Sequence, residues 1–171
     1  RRVLFRSRYD PAKDFEAVSI LTVGAPFVFA AHNDQPYRNV RELIAYAKAN
    51  PGKLSYGVDV SSGLGLVAAR AFVRRAGLDI AEVPYRSTPQ MIQDTMAGRL
   101  PLLLSAITPV EPIIRDGRLR PVTMTSRNRF PTFPDVSVVA EELPGFDIDG
   151  WLTVRSEEHT SELQSHLNLV C

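Results

Sequence analysis

The segment from Leu54 to Arg86 constrains the fold of this chain more than any other part, because strand, loop and helix patterns follow one another in it. It begins with the alternating pattern of a half-buried strand, passes through a loop of serine and glycine, and continues as an apolar helix before a second strand and a second polar turn. Such a unit directs unpaired backbone N–H groups and hydroxyls to one place, which is how a fold binds a small anion without a charged side chain. An ordinary capped helix after an ordinary loop has the same local sequence.

Strand and helix patterns also alternate on both sides of this segment. Strands are predicted at 17–23, 26–31, 54–58, 80–83, 100–105 and 119–125. Helices are predicted behind Asn39 as a cap, at Thr88-Pro89, and at a capping box from Thr108 to Glu111. This order predicts parallel strands joined by helical crossovers, which is an α/β architecture.

The composition is that of a soluble globular protein, with 44% hydrophobic and 23% charged residues, and it excludes a disordered or fibrous chain. With a net charge of +1 the chain lacks the excess of basic residues that nucleic-acid binding requires, so no nucleic acid is expected as a partner. The apolar runs are shorter than the roughly 18 residues of a membrane-spanning helix. Cys171 is the only cysteine, so the sequence predicts no internal disulfide and no metal site, and we expect no cofactor.

The two ends of the chain differ in composition from its middle. Residues 1–7 and 155–171 resemble translated sequencing-adapter read-through, and residues 155–171 are polar and lack glycine and proline. We therefore expect a non-native leader at 1–7 and a non-native tail at 155–171. A native amphipathic helix at the C-terminus is the alternative.

Three predicted loops lie at the carboxyl ends of the strands, where an open parallel sheet binds its ligands. They are Asp59 to Gly65, Tyr85 to Thr88, and Ser105 to Thr108. All three are rich in hydroxyls and helix N-termini, and they contain only two charges, those of Asp59 and Arg86. Because they hold no nucleophile or general acid with an orienting partner, the pattern indicates a binding site and not an enzyme.

Several short motifs, in a fixed order, resemble one protein family. They include YDPAKDF at Tyr9, NDQP at Asn33 followed by VRELIAYAKANPGKLSYG, VPYRSTPQ at Val83, and PDVSVVAEELPGF at Pro134. Together with Trp151 they resemble the substrate-binding receptors of tripartite tricarboxylate transporters, the Bug family of periplasmic solute-binding proteins. The likeness covers residues 8–154.

The resemblance implies a two-lobed α/β fold, periplasmic binding protein-like of type II, with one lobe nearly complete and the other truncated. Residues 8–31 and 122–154 would belong to the partial first lobe, and residues 32–121 would form the second. It also implies an extracytoplasmic, periplasmic receptor that captures a small di- or tricarboxylate or a related organic acid. Its partners would be the membrane permease subunits of the transporter, and the receptor would be a monomer. The sequence does not identify the carboxylate.

The resemblance assigns the ligand contacts residue by residue. The expected ligand-binding residues are Gly57, Ser61, Ser62, Gly63, Gly65, Tyr85, Ser87, Thr88 and Ser105. Gly65 and Leu66 stand where the family loop commonly has serine and histidine, and Ser105 stands where it usually has aspartate. Leu100 and Pro101 also stand where the family frequently has valine and aspartate. The loss of the carboxylates at Pro101 and Ser105 makes the pocket less acidic, so a ligand with an amino group would find fewer partners in it.

An enzyme of a different class is the alternative. Gly63 to Ala68 fits G-x-G-x-x-A, and Glu82 lies where a dinucleotide-binding Rossmann-type enzyme carries its ribose-binding acid, so Gly63, Gly65 and Glu82 would hold NAD(P). That fingerprint requires its first glycine directly after the strand, whereas Asp59 to Ser62 intervene in this chain. A purely structural or interaction domain is a third hypothesis.

Overall fold

The structure is a computed structural model that describes the backbone of residues 15–157 and 168–170 and the side chains of residues 25–150. It divides into two compact units, one from Gly24 to Gly150 and one formed by residues 1–23 and 151–171. The expected leader and residues 158–167 and 171 of the expected tail lie outside the described residues. In the second unit, β7 (Asp149–Glu157) pairs antiparallel with β8 (Asn168–Val170).

Strands and helices alternate along most of the chain, as predicted. The elements before β7 are β1 (Phe15–Ala31), α1 (Val40–Ala49), β2 (Ser55–Asp59), α2 (Gly63–Ala76), β3 (Ala81–Tyr85), α3 (Thr88–Met96), β4 (Leu102–Ala106), α4 (Ile107–Arg115), β5 (Arg120–Met124), β6 (Ser137–Val138) and a short 3-10 helix (Val139–Glu141). The prediction of an α/β architecture is confirmed.

The strands of the larger unit form one sheet in the order β3-β2-β4-β1-β5-β6. β2 runs parallel to β3 and β4, as the helical crossovers require. The prediction of an all-parallel sheet is wrong for β1, which lies antiparallel between β4 and β5, with Phe29 opposite Leu104 and Thr123. The crossover through α4 places β5 two positions away from β4 in the sheet, and β1 lies between them and runs in the opposite direction.

The larger unit, Gly24–Gly150, extends beyond residues 32–121, which are expected to form the second lobe. It contains the carboxyl half of β1, β5 and β6, and thus includes residues 26–31 and 122–150, which the resemblance assigns to the first lobe. The assignment of residues to the two lobes of a complete receptor stays a prediction.

The sheet is covered on both faces by apolar side chains. Successive residues of β4 alternate between them, because Leu102 and Leu104 belong to one buried cluster with Phe29 and Phe72, whereas Leu103 belongs to another with Met91. The first cluster lies under α1 and α2, and the second lies under α3 and α4. Burial on both faces explains why the central strands are almost entirely apolar.

The helix starts confirm one predicted cap and correct two others. Asn39 caps α1, since its Oδ1 accepts a hydrogen bond from Glu42 N at 2.9 Å. Ser87, and not Thr88, is the N-cap of α3. The capping box at Thr108 is wrong, because β4 runs directly into α4 and the helix has already begun at Ile107. Glu111 pairs with Arg115 instead, at 2.9 Å.

Within the part of the chain that the structure describes, no helix has both the length and the apolar composition to cross a membrane. No group of three or more histidine, cysteine, aspartate or glutamate side chains that could hold a metal ion lies among the described residues either.

Candidate ligand-binding site

A cavity of about 200 Å³ lies beyond the carboxyl ends of β2 and β4, next to the first turns of α2, α3 and α4. Its polar wall contains Asp59, Ser62, Thr88 and Ser105, and the backbone of Gly65 borders it. The topology brings these residues together because parallel strands end at the same edge of a sheet, and each helix begins there.

Four of the nine residues expected to bind a ligand line this cavity: Ser62, Gly65, Thr88 and Ser105. The other five do not line it. Ser61 and Gly63 are exposed in the loop and the first turn beside it, and Ser87 is the N-cap of α3.

Gly57 and Tyr85 have other surroundings. A Cβ atom on Gly57 would lie 2.5 Å from Leu100 Cδ2 and 3.0 Å from Met91 Cγ, so this glycine lets α3 and its neighbours pack against β2. The Tyr85 hydroxyl donates a hydrogen bond to Asp94 Oδ2 at 3.0 Å. Whether any of the nine residues contacts a ligand stays a prediction.

Asp59 connects the two loops that lead into α2 and α3. Its Oδ1 accepts hydrogen bonds from Ser61 N at 2.9 Å and from Ser61 Oγ at 2.6 Å. Its Oδ2 accepts a hydrogen bond from Thr88 Oγ1 at 2.6 Å. Both carboxylate oxygens therefore have hydroxyl donors, which fix the spacing of the loops and reduce the repulsion that Asp59 would exert on an anion in the cavity.

These hydrogen bonds also determine the protonation of Asp59. Its partial burial would by itself raise the pKa, but the hydrogen bonds from Ser61 and Thr88 outweigh this effect and leave the pKa of Asp59 below its ordinary value. Because the pKa is lowered in the folded state, the stabilisation is present above the unfolded carboxyl pKa and is lost as the pH falls through the folded pKa.

We expect Asp59→Asn to lower the free energy of unfolding by about 1 kcal/mol at neutral pH, because the amide replaces charge-assisted hydrogen bonds with neutral ones. Urea unfolding at a series of pH values measures this, and the difference from the unchanged protein should shrink as the pH falls below about 4. Asp79→Asn, at an exposed aspartate, is the control and should show no such trend. A difference for Asp59→Asn that is constant with pH would contradict the assignment.

Two hydroxyls of the polar wall are available to a ligand. Ser62 is the N-cap of α2 but makes no side-chain capping hydrogen bond. Ser105 is only 7% exposed, and it lines the cavity, so the surface that it retains is open to a ligand there.

The first turn of α2 adds backbone donors to these hydroxyls. Leu66 N makes the first hydrogen bond of the helix, to Ser62 O at 3.0 Å, so the N–H groups of Gly63, Leu64 and Gly65 precede the helical ladder. The positive end of the helix dipole lies at the same place and favours an anion.

Phe27 is one of the apolar residues that line the cavity. A Cβ atom on Gly65 would lie 3.1 Å from Phe27 Cε1, and one on Gly150 would lie 3.9 Å from Phe27 Cε2, so the ring fits between two glycines. Thr125 fixes the backbone of Phe27, because Phe27 N donates to Thr125 Oγ1 at 3.0 Å and Thr125 N donates to Phe27 O at 3.0 Å.

Sequence reasoning missed the roles of Asp59 and Phe27. The serine two positions after Asp59 is a signal for the local turn, since an aspartate commonly accepts hydrogen bonds from the backbone and side chain two residues on. No local signal identifies Phe27, because its place in the wall depends on the antiparallel insertion of β1.

The position and hydrogen bonds of Glu82 do not fit the dinucleotide hypothesis. Arg70 donates two hydrogen bonds to its carboxylate, at 2.9 and 2.8 Å, and the Tyr56 hydroxyl donates a third at 2.8 Å. Glu82 also lies near the start of β3, whereas a ribose-binding acid belongs at the carboxyl end of a strand. The geometry therefore accounts for Glu82 without a nucleotide.

The sheet order, the helical crossovers and the cavity define the class of the protein as an α/β ligand-binding fold. Comparison with known families makes the assignment specific. The model of the tripartite tricarboxylate transporter family receptor matches residues 4–163, and the chain belongs to this family.

Individual relatives agree with the family. The chain is 32% identical to the UPF0065 protein in the tcbD-tcbE intergenic region of Pseudomonas sp. (strain P51), covering 91% of this chain and 46% of that protein. It is 26% identical to Protein BugT of Bordetella pertussis, covering 90% of this chain and 49% of that protein. The chain thus spans about half the length of these relatives.

Solved structures show the same fold. The R. palustris protein Rpa4515 with adipate has a TM-score of 0.83 at 30% sequence identity, covering 91% of this chain and 52% of that one. The periplasmic binding protein BugD has a TM-score of 0.81 at 25% identity, covering 90% of this chain and 52% of that one. The prediction of a periplasmic binding protein-like α/β fold is confirmed, and the chain covers about half of each of these structures.

Proposed function

We propose that this chain is part of an extracytoplasmic receptor that captures a small carboxylate for a tripartite tricarboxylate-type transporter. The observation that carries the proposal is the cavity, where the hydroxyls of Ser62 and Ser105 and the first turn of α2 lie together. The solved relative with adipate, at 30% identity, supports a carboxylate as the ligand.

Hydrogen bonds and the helix dipole would hold the carboxylate. Ser62 and Ser105 donate their hydroxyl protons to its oxygens, and the N–H groups at the start of α2 donate from the backbone. Thr88 is already hydrogen-bonded to Asp59, so its part is to keep the second loop in place. Ser61, Gly63 and Ser87 do not line the cavity but adjoin lining residues in sequence, and they would contact parts of the ligand that extend out of it.

The same geometry favours binding over catalysis. Asp59 is the only titratable side chain among the described residues that line the cavity, and its lowered pKa keeps it ionised at neutral pH. An ionised carboxylate with both oxygens engaged is a poor general acid or base. We therefore infer that the receptor is a binding protein and not an enzyme. As the family resemblance implies, it would work as a monomer in the periplasm and deliver its ligand to the membrane permease subunits.

The test is a titration of the 171-residue chain with adipate, followed by the chemical shifts of its backbone amides. One carboxylate gains about 1.5 to 3 kcal/mol from each charge-assisted hydrogen bond and up to about 2 kcal/mol from the helix dipole. Immobilising the ligand costs at least about 4 kcal/mol, so we expect a Kd of about 1 mM, with shifts concentrated at the start of α2.

Two substitutions identify the site. Ser62→Ala and Ser105→Ala should each weaken adipate binding by about tenfold, because each removes one hydrogen bond to the carboxylate. Ser55→Ala is the control, since Ser55 begins β2 at the opposite end of the strand and should leave the Kd unchanged. Equal binding by all three variants, or the absence of saturation by adipate, would contradict the proposed function.

A further inference from the structure

Five apolar residues make up the rest of the cavity wall: Phe27, Val58, Leu104, Ala106 and Pro109. Val58 and Leu104 are each 1% exposed and Phe27 is 6% exposed, so what little surface they retain faces the cavity. Among the described lining residues there is no arginine, lysine or histidine, and the only carboxylate, Asp59, has both oxygens engaged.

We propose that the receptor selects a carboxylate whose carbon chain is unsubstituted next to the bound carboxyl group, such as a plain aliphatic or aromatic acid. Hydroxy acids and branched tricarboxylates are disfavoured. The inference rests on the proposed function, since it concerns the ligand of the same cavity, and it adds the chemistry of the part of the ligand that this wall contacts.

The cavity wall combines hydroxyl donors with apolar side chains, and this combination determines the selection. One carboxylate occupies the donors of Ser62, Ser105 and α2, and the carbon atoms that follow it lie against Phe27, Val58 and Leu104. A hydroxyl or carboxylate that branches from these carbons would have to leave water for a surface that offers it no hydrogen-bond partner, and an unpaired polar group in such a place is unfavourable. The terminal carboxylate of a straight-chain diacid is not a branch and would stay in solvent outside the cavity. Unsubstituted carbon instead gains from covering apolar surface.

The volume agrees with such a ligand. An apolar cavity of about 150 Å³ accommodates a benzene ring in another protein, so about 200 Å³ has room for a short carbon chain or a ring together with its carboxylate.

Two pairs of acids, each differing by one polar group, test the selection on the 171-residue chain by amide chemical-shift titration. Malate is succinate with one hydroxyl, which lies within two carbons of the bound carboxylate whichever end binds. Tricarballylate is glutarate with one further carboxylate on its central carbon. We expect malate to bind at least about fivefold more weakly than succinate, and tricarballylate at least about fivefold more weakly than glutarate.

A matched pair of variants locates the cause of the selection. Val58→Thr adds a hydroxyl to the cavity wall at nearly constant shape, and it should reduce the preference for succinate over malate to less than about twofold. Val122→Thr is the control, because Val122 is equally buried in β5 but does not line the cavity, and it should keep the preference. If Val58→Thr does not fold, Ala106→Ser at a half-buried lining position replaces it, with the half-buried Ala140→Ser as control.

The outcomes separate this inference from the proposed function. If malate and tricarballylate bind as tightly as their unsubstituted partners, the selection is overturned while carboxylate binding stands. If Val122→Thr changes the preference as much as Val58→Thr, the apolar wall is not its cause and the inference also fails. If none of the four acids saturates the chain, both the inference and the proposed function are overturned.

Discussion

Phe29→Ala is expected to lower the free energy of unfolding by about 3 to 5 kcal/mol, the largest effect of any substitution considered for this chain. Phe29 is fully buried on β1, between β4 and β5, and its ring lies 4.8 Å from that of Phe72 at an angle of 49°. Alanine removes the ring and leaves a cavity where the sheet meets α2. Both the lost burial and the cavity contribute to the loss.

Urea unfolding followed by circular dichroism measures the effect of Phe29→Ala. Val67→Ala is the control, since Val67 is 56% exposed on α2 and its truncation should change the free energy of unfolding by less than about 0.5 kcal/mol. A loss below about 1 kcal/mol for Phe29→Ala would show that β1 is not the centre of the sheet.

Thr125→Val is expected to cost about 2 kcal/mol or more, although valine has almost the shape of threonine. The Thr125 hydroxyl is fully buried, donates to Ile148 O at 2.7 Å and accepts from Phe27 N at 3.0 Å. Valine leaves both of these backbone groups without that partner, and each buried group left unpaired costs about 1 to 3 kcal/mol. Thermal and urea unfolding of the variant measure the loss.

Thr125→Ser separates the hydrogen bonds from the packing. Serine keeps the hydroxyl and removes one methyl group, so the free energy of unfolding should fall by only about 1 kcal/mol. Equal losses for the serine and valine variants would show that the methyl group, and not the hydroxyl, is the important part of Thr125.

The sequence predicted the alternation of strands and helices because periodicity and caps are local properties. Asn39 illustrates this, since the cap and the helix that it starts lie within one turn of chain. The insertion of β1 between β4 and β5 could not be predicted in the same way, because Phe29 is as apolar in an antiparallel strand as in a parallel one. The start of α4 at Ile107 was missed because the strong turn residues at Thr108-Pro109 follow a boundary that the end of β4 determines.

The sequence likewise predicts only some of the residues that line the candidate site. Ser62, Gly65, Thr88 and Ser105 could be placed in one cavity from the sequence, because the loops that carry them follow parallel strands and the family resemblance names them. The contacts of Asp59 with Thr88 and the place of Phe27 require tertiary structure, since they join segments that are distant in the chain. The outcome for Gly57 is the opposite, because this motif residue does not line the cavity. Its missing side chain instead leaves room for Leu100 and Met91 to pack against β2.

The position of β1 has a consequence for the order in which the chain can fold. β2, α2, β3, α3 and β4 follow one another with short connections and can pair as soon as they are synthesised, since β2 joins both β3 and β4. Such an intermediate exposes the unpaired edge of β4, which is a surface prone to wrong pairing. β1 leaves the ribosome before β2 to β5 but occupies a central position in the sheet, so it can pair on both sides only after β4 and then β5 have been synthesised.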